Sequence, residues 1–134
     1  MSDSIHRDGI LQTAVFITFS GNCRLALTHY QTCLGGTLEF NLFEHELPGY
    51  NIVPVVFGVL KTSHIHIYGS DLGPEEGRAP GNHMSIFLVC SNEQIRRDII
   101  EKLVHPLSKP KPSSASHLTE CVDQFDVHWV IALI

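Results

Sequence analysis

The chain has 134 residues, 43% of them apolar, which suits one domain that buries its core without disulfide or metal staples and leaves too little for two. Only 17% are charged and the formal net charge is −5, a balance that offers no pull toward a phosphate backbone or an anionic membrane, so neither nucleic acid nor membrane is expected as a partner. No apolar stretch approaches the roughly 20 residues needed to span a bilayer.

Residues 1–10 are polar, without the basic stretch leading into an apolar run that marks a secretion signal. TAVFITFS (13–20) is rich in β-branched and aromatic residues and is closed by Gly21-Asn22, the pattern of a strand. Asn22 is placed to cap a helix over Cys23–Leu34, where Leu25, Ala26, Tyr30, Cys33 and Leu34 recur at helical spacing and Gly35-Gly36 supplies the stop. TLEFNLF (37–43) alternates, and after a loop through Pro48 and Gly49 the runs PVVFGVLK (54–61) and HIHIYGS (64–70) form a hairpin with a short Thr62-Ser63 link. Glycine, proline and charge then concentrate in a linker over 71–81.

A second half follows. HMSIFLVC (83–90) reads as a strand, and Ser91 or Asn92 is placed to cap a helix with Ile95, Ile99, Ile100 and Leu103 on one stripe, ending near Val104. PLSKPKPSSASH (106–117) is rich in Pro, Ser and Lys, so any strand in it is short and at an edge. LTECV (118–122), a turn at Asp123–Asp126 and VHWVIALI (127–134) close the chain, the last run apolar enough for a central strand. Strand, helix and three strands are thus written twice, and TFSGNCRLAL and LVCSNEQIRR share a strand end, a capping residue and a helix at the same offset. The expectation is an α+β single domain over 1–134, made of two βαβββ modules over about 11–70 and 82–134. Cys23, Cys33, Cys90 and Cys121 are far apart, form no CxxC pair and lie in apolar segments, so buried thiols and a reducing, cytoplasmic setting are expected.

Three segments in this order, FSGNCRLALTHYQTCLGG (19–36), YGSDLGP (68–74) and DQFDVHW (123–129), resemble the PhnB-like branch of the vicinal-oxygen-chelate superfamily, which also holds glyoxalase I, bleomycin-resistance proteins and extradiol dioxygenases. They match its strand exit with a G-N-C cap and a helix ending in G-G, its G-S-D linker, and its D-x-F-G-x-x-W close, with Asp126 in place of the usual Gly and His128 in place of a common Pro. The resemblance covers about residues 13–134. It implies a glyoxalase-like fold, with curved mixed sheets around a cavity, helices on the outer faces, and a homodimer. Members of this branch often carry a label implying methylation of a ubiquinone precursor, but nothing here looks like the glycine-rich strand-to-helix turn that S-adenosylmethionine folds commonly use.

Metal-using members place His, Gln or Glu on the first, fourth, fifth and eighth strands, and the resemblance aligns Val15, Tyr68, Met84 and Val130 with those places. Valine has no donor and a thioether suits soft ions, so the inherited metal chemistry is expected to be lost and no cofactor is expected. The alternative is a Zn or Ni site from His64, His66 and His128, with His64, His66 and Tyr68 on one face of the fourth strand. It competes with chance, since nine histidines will share faces somewhere and His64 lies at a hairpin start. A one-residue shift of the fifth strand would put His83 in the place of Met84.

Strand alternation, read with the resemblance, nominates Val15, Ile17, Phe57, Val59, Met84, Ile86 and Val130 as an apolar cavity lining, with His66, Tyr68 and His128 as its polar points. The same apolar residues suit a filled core, and a one-residue register error would exchange the two faces. Trp129, Ile65 and Ile67 are expected in the core; Asp71 is expected to shape the linker and Asp123 the last turn. No Ser-His-Asp trio, glycine-rich phosphate loop or carboxylate pair stands at a meaningful spacing. The function expected is a metal-independent small-molecule binder or sequestering protein. A metal-dependent lyase or isomerase and a dimeric scaffold with a vestigial cavity are the alternatives, and a catalyst would draw its acid or base from His66, Tyr68 or His128.

Overall fold

A computed structural model describes residues 9, 12–42, 54–71, 81, 83–104, 111–112 and 117–133. The elements run β1 (Val15–Phe19), α1 (Cys23–Leu34), β2 (Thr37–Leu42), β3 (Val55–Lys61), β4 (His66–Asp71), β5 (Ile86–Cys90), α2 (Glu93–Leu103), β6 (Lys111–Pro112), β7 (Leu118–Val122) and β8 (His128–Leu133). They build two four-stranded sheets, ordered β1-β4-β3-β2 and β5-β8-β7-β6. In each sheet the first and last strands of the βαβββ unit pair in parallel and the remaining neighbours are antiparallel. The fold is α+β with one topology used twice. No helix among the described residues is long and apolar enough to cross a membrane.

Helix α1 begins where the sequence places it, for a different reason. Asn22 occupies the N-cap position, but its side chain makes no cap bond. The carboxylate of Asp71 does that work from the far end of β4: its Oδ1 accepts from the Gly21 and Cys23 amides at 2.9 and 3.0 Å, and its Oδ2 accepts from the Val55 amide at 2.8 Å. Asp71 is therefore the last residue of β4 and a buried clamp across β1, α1 and β3, which corrects its assignment to the linker. In α2 the expected local cap holds, with Asn92 Oδ1 accepting from the Ile95 amide at 2.9 Å, and Glu93 in the first turn and Lys102 in the last match the helix dipole.

Both helices cover one side of their sheets, with Phe19, Leu27, Tyr30, Leu60 and Ile67 buried in the first module and Leu103, Trp129 and Ile131 in the second. The modules are fastened at Asp123. Its Oδ2 accepts from Tyr30 Oη at 2.6 Å and from Trp129 Nε1 at 2.9 Å, while Oδ1 accepts from the Phe125 and Val127 amides at 2.8 and 3.1 Å. Tyr30 meets Phe125 and Trp129 edge to face at 5.9 and 5.5 Å. Asp126 has φ 66°, so the chain keeps at this turn the left-handed conformation that glycine adopts without strain.

Three strand starts move by two residues or more. β1 opens at Val15 and β5 at Ile86, each later than the sequence reading, and the β3–β4 link lengthens to Thr62–Ile65, closed by Thr62 Oγ1 accepting from the His64 and Ile65 amides at 3.1 and 2.9 Å. The sixth strand exists as two residues, Lys111 and Pro112, paired with Glu120 and Thr119. The loop through Pro48 and Gly49, linker residues 72–80 and most of 105–116 lie outside the described residues.

Candidate functional site

Residues directly opposite one another in paired strands point to the same side of the sheet. Ile67 stands opposite Val15 and Leu60, and Gly69 opposite Ile17 and Gly58. This is the α1 side, because a Cβ on Gly58 would meet Leu27 and one on Gly69 would meet Cys23. The alternate residues, Phe16, Thr18, Phe57, Val59, His66, Tyr68 and Ser70, point away from α1, with Tyr68 directly opposite both Phe16 and Val59. In the second sheet Ile86 stands opposite Trp129 on the helix side, while Phe87 pairs with Val130, and His128 with Val122, on the other.

The registers therefore bring Phe57, Val59, His66 and Tyr68 onto the open side of the first sheet, and His128 and Val130 onto that of the second. Three lining assignments are corrected. Val15 and Ile17 pack against the helix-side core, and Ile86, 7% exposed, lies opposite buried Trp129. A fourth, Met84, precedes β5 and is 76% exposed. The first three share a physical reason: VFITF and IFLVC are apolar on both faces, so their pattern carries no contrast to fix which face is which.

What the open side presents is a run of rings. Phe57 lies 5.4 Å from Tyr68 and 6.3 Å from Phe16, tilted by 40° and 37°, and His66 lies 6.4 Å from Tyr68. Phe16 is 54% exposed and Phe57 43%, whereas Val59 beside them is buried. Gln12, just upstream of β1, crosses the end of this run. Tyr68 Oη donates to Gln12 Oε1 at 3.1 Å, and Gln12 Nε2 donates to His66 Nδ1. Sequence reasoning missed Gln12, a polar residue ahead of the strand with no periodicity to mark it, and missed Phe16 through the face error. Lys61 and Glu39 pair with each other at 3.3 Å on the same side of the sheet.

Among the described residues, the positions that the resemblance aligns with metal ligands do not fit a divalent ion. With the faces corrected, the cross-strand pairs Phe16–Tyr68 and Phe87–Val130 stand on the four strands to which the resemblance assigns metal ligands, and their one oxygen donor is a phenol. Among the described residues no three His, Cys, Asp or Glu side chains gather to hold a metal. His64 bonds to Ser63 in the β3–β4 link, His66 is engaged by Gln12, and His128 belongs to the other sheet, so this trio is not assembled. His83 lies ahead of β5 and is exposed. The thiols offer no nucleophile, since burial, aided by the charge of Asp71, pushes Cys23 up to about 12, burial pushes Cys121 up to about 11, and burial also raises Cys33 and Cys90.

A separate cleft of about 380 Å³ opens between the end of α1, the β3–β4 link and the start of α2, lined by Leu34, His64, Ile65, Leu88, Cys90 and Ile99 among others.

Compared as a sequence, the chain matches no family model and no curated protein. Compared as a structure, it is similar to a crystal structure of a Pseudomonas aeruginosa protein, with a TM-score of 0.78 at 23% identity over 92% of this chain and 98% of that one. It is similar to the PhnB protein of Bacillus cereus, with a TM-score of 0.72 at 16% identity over 92% of this chain and 100% of that one. A bleomycin-binding protein, in complex with bleomycin, has a TM-score of 0.54 at 10% identity over 93% of this chain and 99% of the other. The chain has the glyoxalase-like fold that the resemblance implied.

Proposed function

We propose that the protein is a metal-independent binder of a small, partly apolar molecule, held against the open side of the first sheet in a homodimer whose second copy helps to cover it. The observation that supports this most is the Phe16–Phe57–Tyr68 cluster. Contiguous apolar surface left in water forgoes about 25 cal/mol per Å² of burial and on soluble proteins marks an interaction site. Three rings with one amide–imidazole network at their end are the lining a small-molecule site needs, an apolar wall with few fixed polar points. The fold likeness to a protein seen with bleomycin bound adds that this architecture accommodates an organic ligand. The two modules act as one unit, joined through Tyr30 and Asp123. Exposed Phe16, Phe57, Phe87 and Val89, all on sides of the sheets away from the helices, favour a second copy.

The test is a thermal-shift screen of the untagged chain with glycols, aromatics and short dicarbonyls, alongside light scattering and elemental analysis. A ligand at 100 times its Kd adds about 2.7 kcal/mol to stability. We expect a dimer, no stoichiometric metal, and at least one hit whose shift disappears in Phe57→Ala. No hit across the library from an intact dimer would leave only the scaffold reading, and stoichiometric metal lost in His66→Ala would replace the proposal with a metal-dependent enzyme.

A further inference from the structure

We infer that the ligand of this face is a flat, conjugated, uncharged molecule bearing a hydrogen-bond acceptor, and that Gln12 selects for the acceptor by fixing which nitrogen of His66 carries the proton. The inference rests on the binder reading above and adds the ligand class to it.

The rings define the shape. Phe57 is tilted by only 37° and 40° from its two neighbours, far from the edge-to-face crossings of 80° and 67° that Tyr30 makes with Phe125 and Trp129 in the core. The cluster is thus splayed toward solvent with its faces only partly occupied by one another. A planar π system gains both area and ring stacking on such a surface, while a saturated molecule of equal size gains area alone. The surroundings disfavour charge: among the described residues the charged side chains on this face are Lys61 and Glu39, which pair with each other, so an ionic guest meets no unpaired counter-ion there to offset the water it loses.

The amide sets the polarity. Gln12 uses its oxygen to receive the Tyr68 hydroxyl and its nitrogen to donate to His66 Nδ1. A neutral imidazole that accepts at Nδ1 must carry its proton at Nε2. His66 therefore presents an N–H donor beside the rings, and the Tyr68 proton is already committed to Gln12. A ligand carbonyl or ring nitrogen satisfies that donor; a ligand offering only donors, or no polar group, leaves it unpaired once water is displaced.

Three matched probes test this by isothermal titration: 2-acetylnaphthalene, 2-isopropylnaphthalene, which lacks the acceptor, and 2-acetyldecalin, which lacks the flat ring. The aromatic ketone should bind about tenfold tighter than either of the others. Phe57→Leu, which keeps apolar bulk but removes a ring, should erase the preference over the decalin and leave the acceptor preference in place. Gln12→Met should do the reverse, and the ¹⁵N shifts of His66 should change from a single Nε2-protonated form to a tautomer mixture, a signature that mere loss of stability would not give. Equal affinity for the three probes would overturn the ligand class while leaving the binder reading standing. Failure of all three in a protein that does bind other library members would also overturn it, whereas no binding of any compound would remove the binder reading itself.

Discussion

Asp123 takes four donors at once, two from backbone and two from side chains, and is 4% exposed. Such a carboxylate holds its place because every lone pair is used; each hydrogen bond to a charged group contributes about 1.5–3 kcal/mol, and removing partners singly leaves the charge buried and short of donors. The partner that reaches it from the other module is Tyr30, whose hydroxyl is driven far above the usual phenol range by burial first and by the Asp123 charge second. The buried thiols shift in the same direction, Cys23 to about 12 and Cys121 to about 11 from an ordinary value near 9.0. All of these groups hold their protons more tightly folded than unfolded. Their contribution to stability is therefore complete below the unfolded values, 9.0 for the thiols and 10.0 for Tyr30, and is lost as pH climbs toward the folded values. Urea midpoints should accordingly be flat from neutrality to about pH 8.5 and fall steadily above pH 9. Cys23→Ala should weaken the alkaline dependence while lowering stability at neutral pH through the lost packing. A midpoint that rises between pH 9 and 11 would contradict these burial assignments.

Among the elements, helices and hairpins were legible because their signals are local. Gly35-Gly36 ends α1 as expected, yet the two glycines are unequal. Gly35 has φ 79° and open space around a built Cβ, whereas at Gly36, with φ 98°, a Cβ would lie 2.4 Å from the Lys61 carbonyl oxygen, a contact that only backbone movement relieves. Gly36→Ala should cost about 2 kcal/mol or more from strain and clash together, and Gly35→Ala about 1 from strain alone; thermal melting of the two variants side by side checks the order. Strand phase was legible only where one face is polar. His66-Ile67-Tyr68 alternates polar and apolar, so its pattern carries its phase, but Val15-Phe16-Ile17 and Ile86-Phe87-Leu88 are apolar throughout and offer no contrast to fix theirs. The long-range cap from Asp71 to α1, 48 residues apart at Cys23, has no local signature at all. Asn22 concealed it by looking sufficient.

At the scale of the whole molecule, two places among the described residues compete for a ligand: the open side of the β1–β4 sheet, and the inter-module cleft of about 380 Å³. The volume alone is within the range of small-molecule sites, and the cleft is lined in part by aliphatic side chains such as Leu34, Leu88 and Ile99. Exposure does not separate the two, since Val89 and Ile95 in the cleft lining are 47% and 41% exposed, close to Phe57 at 43%; what sets the sheet face apart is its three neighbouring aromatic rings. An aromatic ligand gains ring stacking as well as area on the rings, and area alone in the aliphatic cleft, which favours the sheet face. Ile99→Phe, which narrows the cleft without touching the sheet, should leave ligand-induced thermal shifts within experimental error of the parent chain. Phe57→Ala should abolish them and leave the cleft untouched. Shifts that vanish in Ile99→Phe and survive in Phe57→Ala would move the site between the modules, where the α1–α2 packing and the Tyr30–Asp123 link would couple ligand binding to how the two halves are held together.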